Sequence, residues 1–535
     1  MASKFDLIIK GAKIIDGTGN PWFKRDIGIS QGRIKALGLI RTDSIEIINA
    51  EGLTVSPGFI DLHNHNDLSI LAYPNLESHL MQGITTSVTG NCGLSMAPIV
   101  PHNLDLLRTY LSSFLKPNFD YGWNWQSTKA FYQKVVKQGM TMNLAPLVGQ
   151  GTIRLAVKGF DSSKPTTEEM LQMKELLTQS LEDGVFGMSA GLFYPPGSYC
   201  STEELSELAS VLKNYGAIFT IHLRNESNKL IESLEEALKI VEGGNIPLEI
   251  SHHKAAGRLN WGKIRGSLKI MAKARERGVE VNCDVYPYIA GSTMISSLLP
   301  TWVLEGGINR MLDRLQTRDI RKSIEREISE GTMEGENWIR SIGWDNITIG
   351  GCPGNKEYEG KSLAKIIDEK GSSNTPYQTF FDWLVEISGE AIMILFGMDE
   401  DDVKEVISSP LSSIITDAWA TTPSESGKPH PRAYGTFPRV IRKYVREEKV
   451  LTLEEAIRKM TSLPAMKIGI KDRGIIQEGF WADLLIFDAE KMNDMASFSK
   501  PHQYPEGIKQ IIVNGQVVVQ DSKLTGIKAG KVLAP

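Results

Sequence analysis

Eight short apolar runs alternate with amphipathic stretches through the middle of this chain, and nothing else in the sequence constrains its fold as strongly. The runs are Gly58–His63, Ile84–Gly90, Thr141–Val148, Val185–Ala190, Ala217–His222, Pro247–His252, Val279–Tyr286 and Ser412–Asp417. Runs that are apolar on both faces and separated by helices read as strands of a parallel sheet, and eight of them read as a closed barrel. Helix signals occupy the gaps. Ser201 with Glu204 opens a helix over Thr202–Asn214, Thr167 through Glu182 has a helical apolar period, and Gly278 closes Ser267–Arg277. The expected fold is therefore α/β, a (β/α)₈ TIM barrel, and a chain of 535 residues suits one such barrel with appendages.

The flanks read differently. Residues 1–56 hold short strand candidates (Phe5–Lys10, Lys13–Ile15, Asp26–Ser30, Arg33–Gly38, Ile45–Asn49) punctuated by turns such as Asp16-Gly17 and Gln31-Gly32. Residues 471–535 return to that style, with Gly474–Glu478, Asp483–Phe487, Ile508–Val513 and Gln516–Val519. Neither end has enough core alone, so both are expected to pair into one small β-sandwich around a catalytic barrel at 57–470. The step from Tyr286 to Ser412 is far longer than a usual βα connection. Its first part, about 290–349, carries helix-like runs at Trp302–Gln316 and Thr317–Ser329 and is expected to be an inserted lid.

The strand ends carry the chemistry. His63 and His65, two apart after the first run, are expected to face the same way, because strand side chains alternate. Cys92 follows the second run between glycines, His222 ends the fifth, His252 the sixth and Asp417 the eighth. In a (β/α)₈ barrel, active sites form at that rim. Four imidazoles, one thiolate and one carboxylate suit two zinc ions sharing a ligand. Asp417 could also take a proton from a water acidified by zinc and later pass it to a leaving amine. His79, His102 and His502, and Cys200, Cys283 and Cys352, read as ordinary structural residues.

A net charge of −5 argues against a generic nucleic-acid surface and gives no reason to expect membrane attraction. Four scattered cysteines form no disulfide framework. Met1 through Asp6 runs straight into a strand-like segment, and no apolar stretch reaches ~18 residues. A cytoplasmic location is expected.

Taken together, these motifs resemble the amidohydrolase superfamily and, within it, the D-aminoacylase (N-acyl-D-amino-acid deacylase) family. The likeness runs over essentially the whole chain. It is carried by Pro57-Gly58-Phe59-Ile60-Asp61-Leu62-His63-Asn64-His65-Asn66-Asp67, Gly90-Asn91-Cys92-Gly93, Ile221-His222-Leu223-Arg224, Ile250-Ser251-His252-His253-Lys254, Asp284-Val285-Tyr286-Pro287-Tyr288 and His430-Pro431-Arg432. The resemblance implies one tight zinc on Cys92, His222 and His252, and a second, weaker position on His63, His65 and Asp417 with Cys92 shared. It implies that Lys254, Tyr286, Ser292 and Arg432 hold the substrate, chiefly its carboxylate, which an ammonium and a guanidinium suit. Many amidohydrolases bridge two metals with a lysine on the fourth strand. Val185-Phe186-Gly187-Met188-Ser189-Ala190 has none, which leaves Cys92 as the natural bridge.

The expected activity is hydrolysis of the amide of an N-acyl-D-amino acid to a carboxylate and a D-amino acid. One alternative is a dipeptidase for peptides with a C-terminal D-residue, which are chemically N-acyl-D-amino acids. Another is a non-catalytic binding protein on the same scaffold, whose mark would be missing metal ligands.

Overall fold

The computed structural model describes residues 5–41, 44–333, 335–371 and 375–535. All eight expected runs contain a strand: Phe59–Asp61, Ile84–Thr89, Asn143–Pro146, Gly187–Gly191, Ile218–His222, Leu248–Ile250, Val281–Val285 and Ser412–Ile414. Every pairing among them is parallel. The first three form one sheet and the last five another. The third strand joins the two sheets, because its continuation Val148–Gly149 pairs with Gly187–Gly191. On the opposite side the ring closes without a regular ladder. Asp417 N donates to His63 O at 2.9 Å and His65 N to Ala418 O at 2.9 Å. Below them the buried Asp61 carboxylate accepts from Thr416 N at 3.0 Å and Thr416 Oγ1 at 2.6 Å.

Helices cover the ring, and their ends follow local chemistry. Thr167–Glu182 opens on a complete capping box between Thr166 and Glu169. Ser201 caps Thr202–Leu212 through Glu204 N. Their apolar faces pack on the strands; Met173, Leu177, Leu205 and Leu208 are fully buried.

Both chain ends enter one nine-stranded sheet. Leu484–Phe487 pairs antiparallel with Thr54–Pro57, joining the C-terminal strands to the N-terminal ones. Phe5–Ile14 is a single strand, with a register shift between Ile9 and Ala12 where two strands were expected. Gly11 at the shift has φ +71°, which glycine tolerates. Gly474–Glu478 forms no strand. Residues 1–4 lie outside the description. No helix of the described residues is long and apolar enough to cross a membrane.

The excursion after Val281–Val285 is longer than the expected 290–349. Its sheet has Ala290–Met294 and Ile347–Gly351 on either side of Ile392–Phe396, so the segment continues to Phe396. The reason is that Ile392–Phe396 is the shared partner of both outer strands. The segment has its own core, including Met311, Ile324, Phe380, Trp383 and Leu384.

A buried polar network fastens the terminal sheet to the barrel. Asp483 pairs with Arg473 and accepts from Asn143 Nδ2 at 3.1 Å and Asn514 N at 2.7 Å, while Arg473 Nη2 donates to Asn514 Oδ1 at 2.8 Å. Removing one member of a buried ion pair strands the other and costs about 3–5 kcal/mol. Arg473→Met is therefore expected to lose stability of that order in a denaturant melt. A melt matching the parent protein would show that the network does not anchor the sheet.

Candidate metal centre

Each candidate ligand sits where a barrel strand ends and its chain turns. His222 is the last residue of its strand, His252 lies two past Ile250, and Asp417 three past Ile414. Three of these residues have left-handed backbone: Cys92 at φ +53°, His252 at +36° and Asp417 at +49°. Non-glycine residues seldom adopt this conformation, and where they do a function often repays the strain. Here the turn swings each side chain inward off the strand direction.

The Cys92 loop is held from below. Gly93 N donates to Ser189 Oγ at 2.9 Å, and Ser189 Oγ donates to Gly90 O. A Cβ on Gly90 would lie 2.2 Å from Leu147 O, and one on Gly191 2.1 Å from Cys92 O. Glycine at both positions lets the loop settle against its neighbours.

The six candidates converge. Cys92 Sγ lies 3.3 Å from His63 Nε2, 3.8 Å from His222 Nδ1 and 3.5 Å from His252 Nε2. Asp417 Oδ1 lies 3.5 Å from His63 Nε2 and 3.4 Å from His65 Nε2. A tetrahedral zinc with Zn–S near 2.3 Å and Zn–N near 2.0 Å separates sulfur from nitrogen by about 3.5 Å. The spacing around Cys92 matches that requirement, and the donor set is one zinc accepts. His63, Cys92, His252 and Asp417 also form a single cluster of potential metal ligands.

The electrostatics suit a cation. Burial opposes ionisation of the Cys92 thiol, but His63, with hydrogen bonds from His222 and His252, outweighs it and holds the group well below the usual thiol range. Burial likewise opposes the charge on Asp417. The Arg432 guanidinium, His252, His65 and His63 hold it well below the usual carboxylate range.

Two carboxylates absent from the expected site support it. Glu226 is buried, and its Oε1 lies 3.0 Å from His252 Nδ1. It also receives Lys254 Nζ on both oxygens at 2.6 Å. Burial opposes its charge, but Lys254, His222 and His252 hold its carboxyl well down. Asp284 lies 3.6 Å from His63 Nδ1 and accepts the backbone N–H of His252. Carboxylates of this kind orient ligating histidines and raise their basicity. The only sequence signal for Glu226 was its place four residues past His222.

The four expected substrate residues face the same cavity, of about 50 Å³, beside Phe114, Phe193, Tyr194, Glu336, Trp338 and Trp419. Lys254 and Arg432 are both already paired: Lys254 with Glu226, and Arg432 Nη1 at 2.7 Å from Asp417 Oδ2. Arg432 Nη2 donates to Ser292 O at 3.2 Å. Tyr286 presents its ring to both cations, 5.8 Å from Lys254 Nζ and 4.8 Å from the Arg432 guanidinium carbon. His253, next to a ligand, turns away and pairs with Ser267 Oγ at 2.7 Å. A second cavity, of about 380 Å³, shares Phe114, Ser292, Trp419 and Arg432 with the first.

Removing Cys92 takes away the atom that all three imidazoles approach, so Cys92→Ala is expected to lose bound metal. Glu226→Gln keeps the ligands but loses their orienting charge, and is expected to weaken metal affinity about 10- to 100-fold. Competitive chelator titration measures both. Full metal retention in Cys92→Ala would remove the sulfur from the ligand set.

The fold has counterparts among known proteins. A model of the amidohydrolase family matches residues 46–194 and 351–519. An N-acyl-D-aspartate deacylase of Alcaligenes xylosoxydans xylosoxydans is 34% identical over 99% of this chain and 95% of its own. A D-aminoacylase of the same organism is 34% identical over 99% of this chain and 98% of its own. The crystal structure of N-acyl-D-glutamate deacylase from Bordetella bronchiseptica, complexed with zinc and a phosphonate mimic of the tetrahedral intermediate, superposes with a TM-score of 0.81. It is 33% identical, with 100% of both chains covered. With a family model spanning most of its length and full-length relatives at this identity, the chain belongs to the amidohydrolase family, in its D-aminoacylase branch.

Proposed function

We propose that this protein is a zinc-dependent deacylase of N-acyl-D-amino acids: amide and water go in, and a carboxylate and a free D-amino acid come out. The observation that carries the reading is the joining of a thiolate–imidazole–carboxylate metal cluster and two buried cations in one small cavity. The relatives' activities support the same substrate class.

Cys92, His222 and His252 would hold the tight zinc, with Glu226 fixing the His252 ring. His63, His65 and Asp417, with Cys92 shared, would form the second position. That position is weaker because Asp417 already shares its charge with Arg432. When bound, zinc supplies Lewis acidity and a water acidic enough to ionise near neutral pH.

Within the protein, Asp417 is the group that moves the proton. Its carboxylate accepts one from the attacking water and returns it to the departing amine nitrogen. Arg432 keeps it ionised and aimed at the cavity. Arg432, Lys254, Tyr286 and Ser292 hold the α-carboxylate, so only the D-configuration turns its amide towards the cluster. An arginine has five N–H donors, so Arg432 can serve Asp417 and a substrate together. The excursion acts as a lid, bringing Ser292, Glu336, Trp338 and Leu395 to the cavity and excluding water.

A second reading, a dipeptidase for peptides with a C-terminal D-residue, draws on the larger cavity beyond Phe114 and Trp419, which has room for more than an acetyl group.

Zinc-loaded protein is expected to hydrolyse N-acetyl-D-amino acids and leave their L-enantiomers. Equal rates on the two would sink the stereochemical assignment. Asp417→Asn should keep the tight metal and lose about 10²–10⁴-fold in kcat. Near-normal kcat would hand the proton to another residue. N-acyl-D-amino acids should also outperform their neutral amides, and Arg432→Ala should shrink that preference by roughly ten- to a hundredfold. A neutral amide hydrolysed as well as the acid would remove the carboxylate pocket.

A further inference from the structure

Glu336 is used neither by the metal centre nor by the proposed chemistry, yet it lies against both. The excursion carries it in, two residues before helix Trp338–Ile342, and it is only 2% exposed. Its Oε1 accepts the backbone N–H of Glu226. Among the described residues it makes no ion pair, whereas Glu226 has Lys254 and Asp417 has Arg432. A buried carboxyl group without a cation is costly to ionise, and a ligand that brings a cation beside it favours the charged form and gains an ion pair.

Its location says where such a cation would come from. Glu336 lines the cavity over the metal ligands and also an adjoining cavity of about 110 Å³. The second is walled by Leu192, Phe193, Met294, Leu299, Leu304 and Met333. Its cation Arg224 is already occupied, donating to both Glu236 oxygens at 2.9 Å and to the carbonyls of Ser198 and Cys200. A largely apolar cavity with a carboxyl group in its wall suits an aliphatic stem bearing a positive charge. It does not suit a side-chain carboxylate, because Glu336 would repel one and Arg224 is already occupied.

We propose that Glu336 is a specificity-determining residue that selects substrates carrying an ammonium or guanidinium group near the scissile amide. The inference rests on the deacylase reading and narrows its substrate class. The charge has two possible carriers: a basic D-side chain, or the free amino group of an aminoacyl substituent as in a dipeptide.

The test compares kcat/KM of the zinc-loaded protein on matched pairs. N-acetyl-D-lysine against N-acetyl-D-norleucine reads the side chain; glycyl-D-methionine against N-acetyl-D-methionine reads the acyl group. Hydrogen bonds to charged groups predict a preference of about ten- to a hundredfold for the cation-bearing member of at least one pair. Glu336→Gln should bring that ratio close to one. The pair that responds identifies the carrier. No preference in either pair, or a preference that survives in Glu336→Gln, overturns the proposal. Calorimetric binding of the same four compounds to zinc-loaded Asp417→Asn protein provides a readout independent of turnover. If no N-acyl-D-amino acid is hydrolysed, the deacylase reading falls. Equal binding within both pairs would refute the role of Glu336 separately. Should Glu336→Gln fail to fold, Glu336→Met, close to it in volume and uncharged, takes its place with the same expected loss of the ratio.

Discussion

The hydrogen bond from Asp417 N to His63 O ties the last barrel strand to the first, and the metal centre depends on that closure. No regular ladder joins these strands, so the seam rests on this contact, on His65 N to Ala418 O and on the Asp61–Thr416 bonds beneath. The same residues that close the ring present their side chains to its mouth. Closure thus brings His63, His65 and Asp417 together although Asp417 is far from both in sequence. A parallel barrel gathers such residues at one rim because all its strands run the same way.

Charge compensation is the second constraint. The centre buries a thiolate, several carboxylates, an ammonium and a guanidinium in a space that admits little water. Each charge is tolerable only because another lies against it. Glu226 answers Lys254 and steadies His252; Arg432 answers Asp417. These pairings hold the candidate ligand side chains in place. They also mean that, under the proposed function, a substrate carboxylate would join an existing network. Glu336 stands out because, among the described residues, it makes no ion pair of its own. Burial and the Glu226 charge push its carboxyl up to about 8.

Much of this was legible along the chain. The eight apolar runs locate all eight barrel strands because a strand covered on both faces must be apolar throughout. The residues that converge as candidate ligands could be read from their position at the ends of those runs. Strand ends were less legible: Leu248–Ile250 stops short of His252, whose left-handed backbone no periodicity announces. The excursion was read too short, because Ile392–Phe396 gains its meaning only from two partners distant in sequence. Glu226 was passed over because an acidic residue in a polar stretch looks like any solvated one until a fold buries it.

By itself, the sequence determined the barrel, the pairing of the chain ends through matching short strands, and the types and order of the candidate ligands. All of these follow from local pattern: apolar periodicity, turn residues and the chemistry of histidine, cysteine and aspartate at strand ends. Only the tertiary structure decided which charges meet. Lys254 with Glu226, Arg432 with Asp417 and, among the described residues, Glu336 without an ion-pair partner are outcomes of how separate segments pack. The physical reason is that a charge has no fixed meaning until burial removes water, and burial is a property of the whole fold.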